Sequence, residues 1–75
     1  MKNLALAFCS IRPSQLNESV CDARESEYYI CLQQLKRVLP ESFDLVVCEN
    51  TIDSELQIKN NDLRELLSQT EMIAT

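Results

Sequence analysis

The sequence predicts an α/β fold, a βαβαβ unit with a short parallel sheet, and three features of the chain carry that prediction. Two apolar runs of strand length, Leu4 to Ile11 and Phe43 to Cys48, lack the alternation that is typical of half-exposed strands. A leucine stripe at helical spacing lies between them and stops before Pro40. A shorter helical pattern follows the second run. Because strands alternate with helices, the connections are expected to be right-handed crossovers between parallel strands.

The first apolar run predicts a strand near residues 3–10. A continuous apolar run of this kind is typical of a strand that is buried on both faces. The stretch that follows, RPSQLNESVCD, is polar and contains Pro13, so it is expected to form a loop.

The central helix is expected near residues 23–38. Asp22 stands three residues before Glu25, which is an aspartate version of the capping box that marks the start of a helix. Lys36 and Arg37 then fall in the last turn, where positive charge favours the helix dipole. The apolar stripe of this helix consists of Tyr28, Leu32, Leu35 and Leu39, widened by Ile30, Cys31 and Val38.

The second half of the chain predicts a strand, a short helix and a third strand. The strand is expected near residues 43–49. The helix lies in NNDLRELLSQ, with Asn60 or Asn61 as its N-cap. The final stretch, TEMIAT, is expected to begin a third strand. The inward side chains of the short helix are Leu63, Leu66 and Leu67.

The predicted topology leaves one face of the sheet uncovered. If the strands are added in one direction, both helices pack on the same face, whereas stable parallel sheets are covered on both. This predicts either self-association through the bare face or a longer protein in which other segments cover it. We favour the second, so residues 1–75 are expected to form a single α/β segment, the N-terminal part of a larger and here incomplete domain.

Composition excludes several classes of function. The net charge of −5 argues against nucleic acid as a partner, because no basic patch is available to neutralise phosphates. The chain has no histidine, which excludes Ser-His and Cys-His catalysis within it. It has no glycine either, so glycine-rich phosphate-binding loops are absent. No apolar run approaches the ~20 residues of a membrane span.

The cysteines predict reduced thiols in a cytoplasmic protein. None of the four cysteines forms a C-x-x-C pair, the spacing typical of zinc and redox motifs. The apolar run from Leu4 to Cys9 is shorter than the roughly 7–15 residues of a signal peptide. A secreted disulfide framework is the alternative that an even number of cysteines permits.

Polar side chains follow both long strands at the end where open α/β sheets bind ligands. Because the two clusters are expected to face one crevice, we take as candidate binding residues Ser10, Arg12, Glu49, Asn50 and Asp53. Carboxylates accept hydrogen bonds from ribose hydroxyls or a base N–H, and Arg12 suits a phosphate. The alternative is a plain turn, in which Asn50 takes the left-handed conformation that glycine usually supplies.

The stretch SEYYICLQQLKRVLPESFDLVVCENTID resembles the opening of nucleotide-sugar-dependent glycosyltransferases of the A-type fold, with a family-2-like layout. In that family the second strand runs into an acid-rich turn of the form D-D-G-S-x-D. Here Glu49 keeps the second acid, Thr51 the hydroxyl and Asp53 the final aspartate. Cys48 replaces the first acid and Asn50 replaces the glycine.

The resemblance implies a Rossmann-like half of a nucleotide-diphospho-sugar transferase fold that binds a nucleoside diphosphate sugar. The metal-binding D-x-D and the catalytic base of the family lie further along the chain, and no aspartate follows Asp62 here. No catalytic residue, metal site or cofactor is therefore expected within this chain. A divalent metal, Mn or Mg, is expected only in a longer parent protein, and the segment is not expected to be active alone.

Two other functions compete with this interpretation. Cys9 ends the first strand, as the reactive cysteine does in the IIB phosphocarriers of sugar transport and in low-molecular-weight phosphatases. Those families follow the cysteine with a glycine-containing loop, and the phosphatases place arginine six residues on, whereas Arg12 is three residues on. The second alternative is a non-catalytic module that dimerises through the bare face of its sheet.

Overall fold

The computed structural model describes residues 3–74, and its architecture is a three-stranded parallel sheet with two α-helices. The sheet order is β1-β2-β3, so each strand is added beside the preceding one. This confirms the predicted α/β class, the parallel pairing and the third strand. The elements in chain order are β1 (Asn3–Cys9), α1 (Glu18–Val38), β2 (Phe43–Glu49), a short 3-10 helix (Glu55–Gln57), α2 (Asn61–Ser68) and β3 (Glu71–Ala74).

The register of the strands decides which side chains meet the helices. Asn3 pairs with Phe43 and Cys9 with Glu49, so β1 and β2 end together. Side chains alternate along each strand, and the inner face is the one that packs against both helices. The buried core on this side consists of Cys9, Ile11, Leu32, Val47, Ile52, Ile58, Leu63 and Leu67.

The opposite face of the sheet, which we name the outer face, lacks a covering layer within the described residues 3–74. Phe8 is 78% exposed, Leu4 64% and Leu6 53%. The expectation that the first strand is buried on both faces is therefore wrong, because both crossovers pass on the same side of the sheet. A continuous apolar run predicts a strand, but it does not predict which faces of that strand other elements cover.

The helix α1 begins five residues before the predicted start. Asn17 is its N-cap, and the Asn17 side chain accepts a hydrogen bond from the backbone N–H of Val20 at 2.9 Å. The proposed capping box at Asp22 and Glu25 is wrong, because both residues lie inside the helix and turn towards Arg12. The widened stripe is also wrong, since Ile30, Cys31 and Val38 are exposed.

The helix α2 follows the sequence prediction closely. Asn60 is its N-cap, and its side chain accepts hydrogen bonds from the backbone N–H groups of Asp62 and Leu63 at 3.0 and 3.1 Å. Leu63 and Leu67 are buried, and Leu66 packs against the core while half-buried.

The turns are built without left-handed residues. Across residues 3–74 no backbone φ is positive, so Asn50 does not take the conformation that a glycine would supply there. In the same part of the chain, neither helix combines the length and the apolar character that crossing a bilayer requires.

Candidate functional site

A crevice of about 420 Å³ opens at the carboxyl edge of the sheet, where β1 and β2 end. Two loops form it: residues 10–15, which leave β1, and residues 50–51, which leave β2. Most of its lining is neutral and capable of hydrogen bonding. The lining residues are Ser10, Arg12, Pro13, Ser14, Gln15, Asn50 and Thr51.

Direct hydrogen bonds join the two loops across the crevice. The Ser10 hydroxyl donates to Oδ1 of Asn50 at 2.7 Å. The backbone N–H of Arg12 donates to Oγ1 of Thr51 at 2.9 Å. The backbone N–H of Asn50 donates to the carbonyl oxygen of Cys9 at 3.3 Å, which continues the strand pairing by one residue. The two loops are therefore joined into one unit by hydrogen bonds, whereas the sequence predicted only that they face one crevice.

Helix α1 fixes the backbone of Ser10 from the other side. The Ser10 N–H donates to the hydroxyl of Tyr28 at 3.2 Å. The Ser10 carbonyl oxygen accepts from Nε of Arg24 at 3.2 Å and also from its Nη2. The Arg24 guanidinium in turn lies 5.6 Å from the ring centre of Tyr28, a cation–π arrangement. Ser10 thus presents its hydroxyl to the crevice from a fully bonded backbone.

The carboxylate of Glu49 lies beneath the crevice. Glu49 is the last residue of β2 and its exposed fraction is 0%. Its Oε2 accepts the backbone N–H of Ile11 at 2.9 Å, and its Oε1 accepts the backbone N–H and the hydroxyl of Thr51. A buried carboxylate needs such donors, because an unpaired one costs several kcal/mol. Glu49 therefore holds the two loops together instead of lining the space between them.

The guanidinium of Arg12 reaches the crevice already paired with acids. Its Nη1 lies 2.9 Å from Oδ1 of Asp22 and also contacts Glu25, and its Nη2 lies 4.0 Å from Glu18. The hydrogen bond that Arg12 donates to Asp22, together with its hydrogen bond to Glu25 and the negative charge of Glu25, raises the pKa of Arg12 above its usual value. The same bond from Arg12 lowers the pKa of Asp22. Much of the positive charge at the crevice is thus compensated within the protein.

Glu25 connects this pair to the start of α2. Its side chain is 1% exposed. Its Oε1 accepts the backbone N–H of Asn60 at 2.8 Å and its Oε2 accepts that of Lys59 at 3.3 Å. The ammonium group of Lys59 donates a hydrogen bond to Glu18, and this bond raises the pKa of Lys59. The same ammonium group lies 3.7 Å from Oδ1 of Asp22. One buried carboxylate therefore ties the first loop, α1 and the entry to α2 into a single network.

Sequence reasoning missed this network because it placed the start of the helix too late. Once the helix begins at Glu18, the acids at 18, 22 and 25 recur at the spacing of one helical face. That spacing, together with Arg12 in the preceding loop, was the available signal. The same two acids, Asp22 and Glu25, also match the spacing of a capping box, which is the pattern that predicts the later start.

The five predicted binding residues separate into two groups. Ser10, Arg12 and Asn50 line the crevice together. Glu49 lies below it, and Asp53 lies outside its lining. The side chain of Asp53 is exposed, and its backbone N–H donates to Gln57 Oε1 in the turn before the 3-10 helix.

The environment of Cys9 favours the protonated thiol over the nucleophilic thiolate. Cys9 is buried, and burial, together with the negative charge of Glu49, raises its pKa to about 11. Activated thiols require the opposite shift, because the thiolate is the reactive form. The pKa therefore gives the phosphocarrier and phosphatase alternatives no support. Within residues 3–74, no group of three or more cysteine, aspartate or glutamate side chains is arranged to hold a metal ion.

Comparisons of the chain with protein-family models, with curated proteins and with solved structures found no match. The function is therefore argued from the geometry of the crevice and its surroundings.

The substitution Glu49→Ala is expected to lower the free energy of unfolding by about 3 kcal/mol. It leaves the buried N–H of Ile11 and the half-buried donors of Thr51 without their acceptor, and the loss of a buried partner costs roughly 1–3 kcal/mol. Urea unfolding followed by circular dichroism measures the change. The matched control is Glu27→Ala, at an exposed glutamate of α1, which is expected to change stability by less than about 0.5 kcal/mol. Equal unfolding midpoints for the two variants would contradict the role given to Glu49.

Cys9 is expected to resist alkylation by iodoacetamide near neutral pH, because it is buried and a pKa of about 11 keeps it protonated. Cys31, which is exposed, is expected to react much faster and serves as the internal control. Mass spectrometry of digests from timed reactions separates the two rates, and alkylation in urea shows that both thiols are chemically competent. Alkylation of Cys9 as fast as Cys31 in the folded protein would contradict the assignment.

Proposed function

We propose that this chain is the N-terminal nucleotide-binding segment of a glycosyltransferase that uses a nucleoside diphosphate sugar as donor. The observation that carries the proposal is the crevice at the carboxyl edge, where two loops are held together by hydrogen bonds between them. In an open parallel sheet this edge, beyond the ends of neighbouring strands, is where ligands bind.

The lining of the crevice suits a ligand rich in hydroxyl and amide groups. Asn50 uses Oδ1 for Ser10, so its amide nitrogen offers two donors that this bond does not use. Gln15 and Ser14 are exposed on the opposite wall and offer both donors and acceptors. Ribose hydroxyls and the polar edge of a base match such a surface.

Hydrogen bonds within the protein hold both loops in place without a ligand. Ser10 is held by Tyr28 and Arg24, and Thr51 is held by Glu49. A site whose side chains are already fixed loses less conformational entropy on binding, which favours affinity. In this proposal Glu49 acts by positioning Thr51 and the backbone of Ile11, and direct contact with the ligand falls to Ser10 and Asn50.

The phosphates of the donor are expected to gain little from this segment. Arg12 is the cation at the crevice, and Asp22 and Glu25 already pair with it. Neutralisation of the diphosphate is accordingly assigned to a metal site in the parent protein, which the resemblance places further along the chain. Affinity of this chain alone is expected to be weak, in the range of ~1 mM.

Titration of the full 75-residue chain with UDP-glucose, GDP-mannose and dTDP-glucose tests the proposal. Chemical-shift changes in ¹⁵N spectra are expected at residues 10–15 and 50–51 with at least one donor. Asn50→Ala is expected to weaken that binding about fivefold, which corresponds to the loss of roughly 1 kcal/mol for one hydrogen bond.

Asn3→Ala supplies the matched control, because Asn3 is an exposed asparagine at the opposite edge of the same sheet. It is expected to leave the affinity unchanged. Chemical-shift changes confined to other parts of the chain, or equal effects of the two substitutions, would show that the crevice is not the binding site. An absence of binding by all three donors would contradict the proposed function.

A further inference from the structure

The strand β1 forms one edge of the sheet. Because the strand order is β1-β2-β3, β1 pairs with a neighbour on one side only within residues 3–74. The N–H of Asn3 donates to the carbonyl oxygen of Ser42, and the carbonyl oxygen of Cys9 accepts from Asn50, so the odd-numbered residues of β1 bond to β2. The residues between them turn their N–H and C=O groups the other way. The backbone groups on the open edge are therefore those of Leu4, Leu6 and Phe8.

The edge at β1 lacks the features that prevent strands of different chains from pairing. Natural edge strands are protected by charged residues, proline, bulges or short length. β1 has seven residues, and neither a charge nor a proline occurs from Asn3 to Cys9. The edge at β3 differs, because β3 has four residues and begins with Glu71. Of the two edges, the one at β1 is suited to accept another strand.

The strand β1 is complementary to a second copy of itself in antiparallel orientation. A two-fold axis through Leu6 sets Leu6 opposite Leu6 of the other copy, and it sets Leu4 opposite Phe8. Residues in such hydrogen-bonded pairs exchange both N–H···O bonds, so this single register satisfies the backbone groups of all three outward residues. It also brings the apolar side chains of the pairs together on the outer face, and it opposes no like charges.

Helix α1 exposes a narrow apolar seam on the flank that faces away from α2. Tyr29 and Gln33 mark the other flank, because they line a cavity of about 190 Å³ together with residues of α2. At 3.6 residues per turn, the flank opposite to them carries Cys31, Leu35 and Val38. These three residues follow the spacing of four and three that is typical of packed helices. Cys31 is exposed, Leu35 is half-buried and Val38 is 73% exposed.

The seam of α1 and the open edge of β1 lie on the same side of the protein. α2 connects β2 to β3, so it packs on the β3 side of the sheet. α1 connects β1 to β2, and its Arg24 and Tyr28 reach the backbone of Ser10 directly after β1. The flank of α1 that faces away from α2 is therefore on the side of the β1 edge. One partner can cover both features.

We propose that two copies of the chain associate through antiparallel pairing of their β1 strands, which joins the two sheets into one of six strands, with the two α1 seams packed together beside it. A two-fold axis through Leu6 and perpendicular to the sheet places both α1 helices on one face, antiparallel to each other. A second copy is favoured over an unrelated strand because it brings an uncharged edge and a helix seam in the same relation. The inference does not rest on the proposed function, because neither feature lines the crevice.

Sedimentation equilibrium of the full chain tests the pairing of the strands. The chain is expected to form a dimer that dissociates on dilution. Leu6→Lys is expected to weaken this dimer at least tenfold, because it sets two like charges opposite each other at the axis. Ile73→Lys is the matched control, since Ile73 lies on the outer face of β3 and is 46% exposed, against 53% for Leu6. It is expected to leave the dimer unchanged.

A second pair of variants tests the seam of α1. Val38→Lys is expected to weaken the dimer, because it places a charge between the two helices. Ile30→Lys is expected to have no effect, since Ile30 is 58% exposed but lies outside the seam. Circular dichroism verifies that all four variants are folded.

Hydrogen exchange shows whether the dimer uses the edge of β1. The amides of Leu4 and Phe8 are expected to exchange slowly in the dimer and rapidly in the Leu6→Lys variant, where the open edge faces water. The amides of Ala5 and Ala7 are expected to exchange slowly in both, because they belong to the residues that bond to β2.

Three results would overturn the proposal. The first is a chain that stays monomeric at every concentration. The second is a dimer that Leu6→Lys and Ile73→Lys weaken equally, which would assign the contact to the outer face. The third is a dimer in which the amides of Leu4 and Phe8 exchange as fast as in the Leu6→Lys variant. None of these results bears on the donor titration, which reports on the crevice.

Discussion

The structure at the carboxyl edge of the sheet depends on the hydrogen bonds that the buried carboxylate of Glu25 accepts. This carboxylate accepts the guanidinium of Arg12 and the backbone N–H groups of Lys59 and Asn60, so three separate stretches of the chain meet at one side chain. A buried charge is tolerated only while it is paired, and removal of one partner of such a pair costs about 3–5 kcal/mol. The path of the first loop and the entry to α2 are therefore constrained together.

Glu49 is a second buried carboxylate, and it joins the loops that follow β1 and β2. A chain of 75 residues without glycine builds its turns from other residue types, and at this edge the carboxylate of Glu49 supplies acceptors for Ile11 and Thr51. The hydroxyl of Thr51 links this carboxylate to the backbone of Arg12. The crevice thus results from the way the two loops are held together, and Ser10 and Asn50 are among the residues that line it.

Local sequence patterns predicted most of the helices and strands, but they did not predict the contacts between residues that are distant in sequence. The apolar runs and the cap predicted at Asn60 or Asn61 located the strands and α2, because each depends on neighbouring residues. The sequence also predicted that Ser10, Arg12 and Asn50 meet, since parallel strands bring their carboxyl ends together. It did not predict that Glu49 lies beneath them, because nothing local distinguishes an acid that accepts backbone N–H groups from one that faces solvent. The start of α1 was misplaced for a related reason: Asp22 and Glu25 act through Arg12, ten or more residues away.

Hydrogen exchange of individual amides tests most directly whether buried carboxylates organise the carboxyl edge. The amides of Ile11, Thr51 and Asn60 lie in loops or at a helix end, yet each donates to a carboxylate oxygen of Glu49 or Glu25. Loop amides ordinarily exchange by local opening at little cost in free energy. If the two carboxylates hold the edge, these three amides exchange as slowly as that of Val47 in the central strand. Exchange of all three at the rate of exposed loop amides, with Val47 protected, would contradict the account.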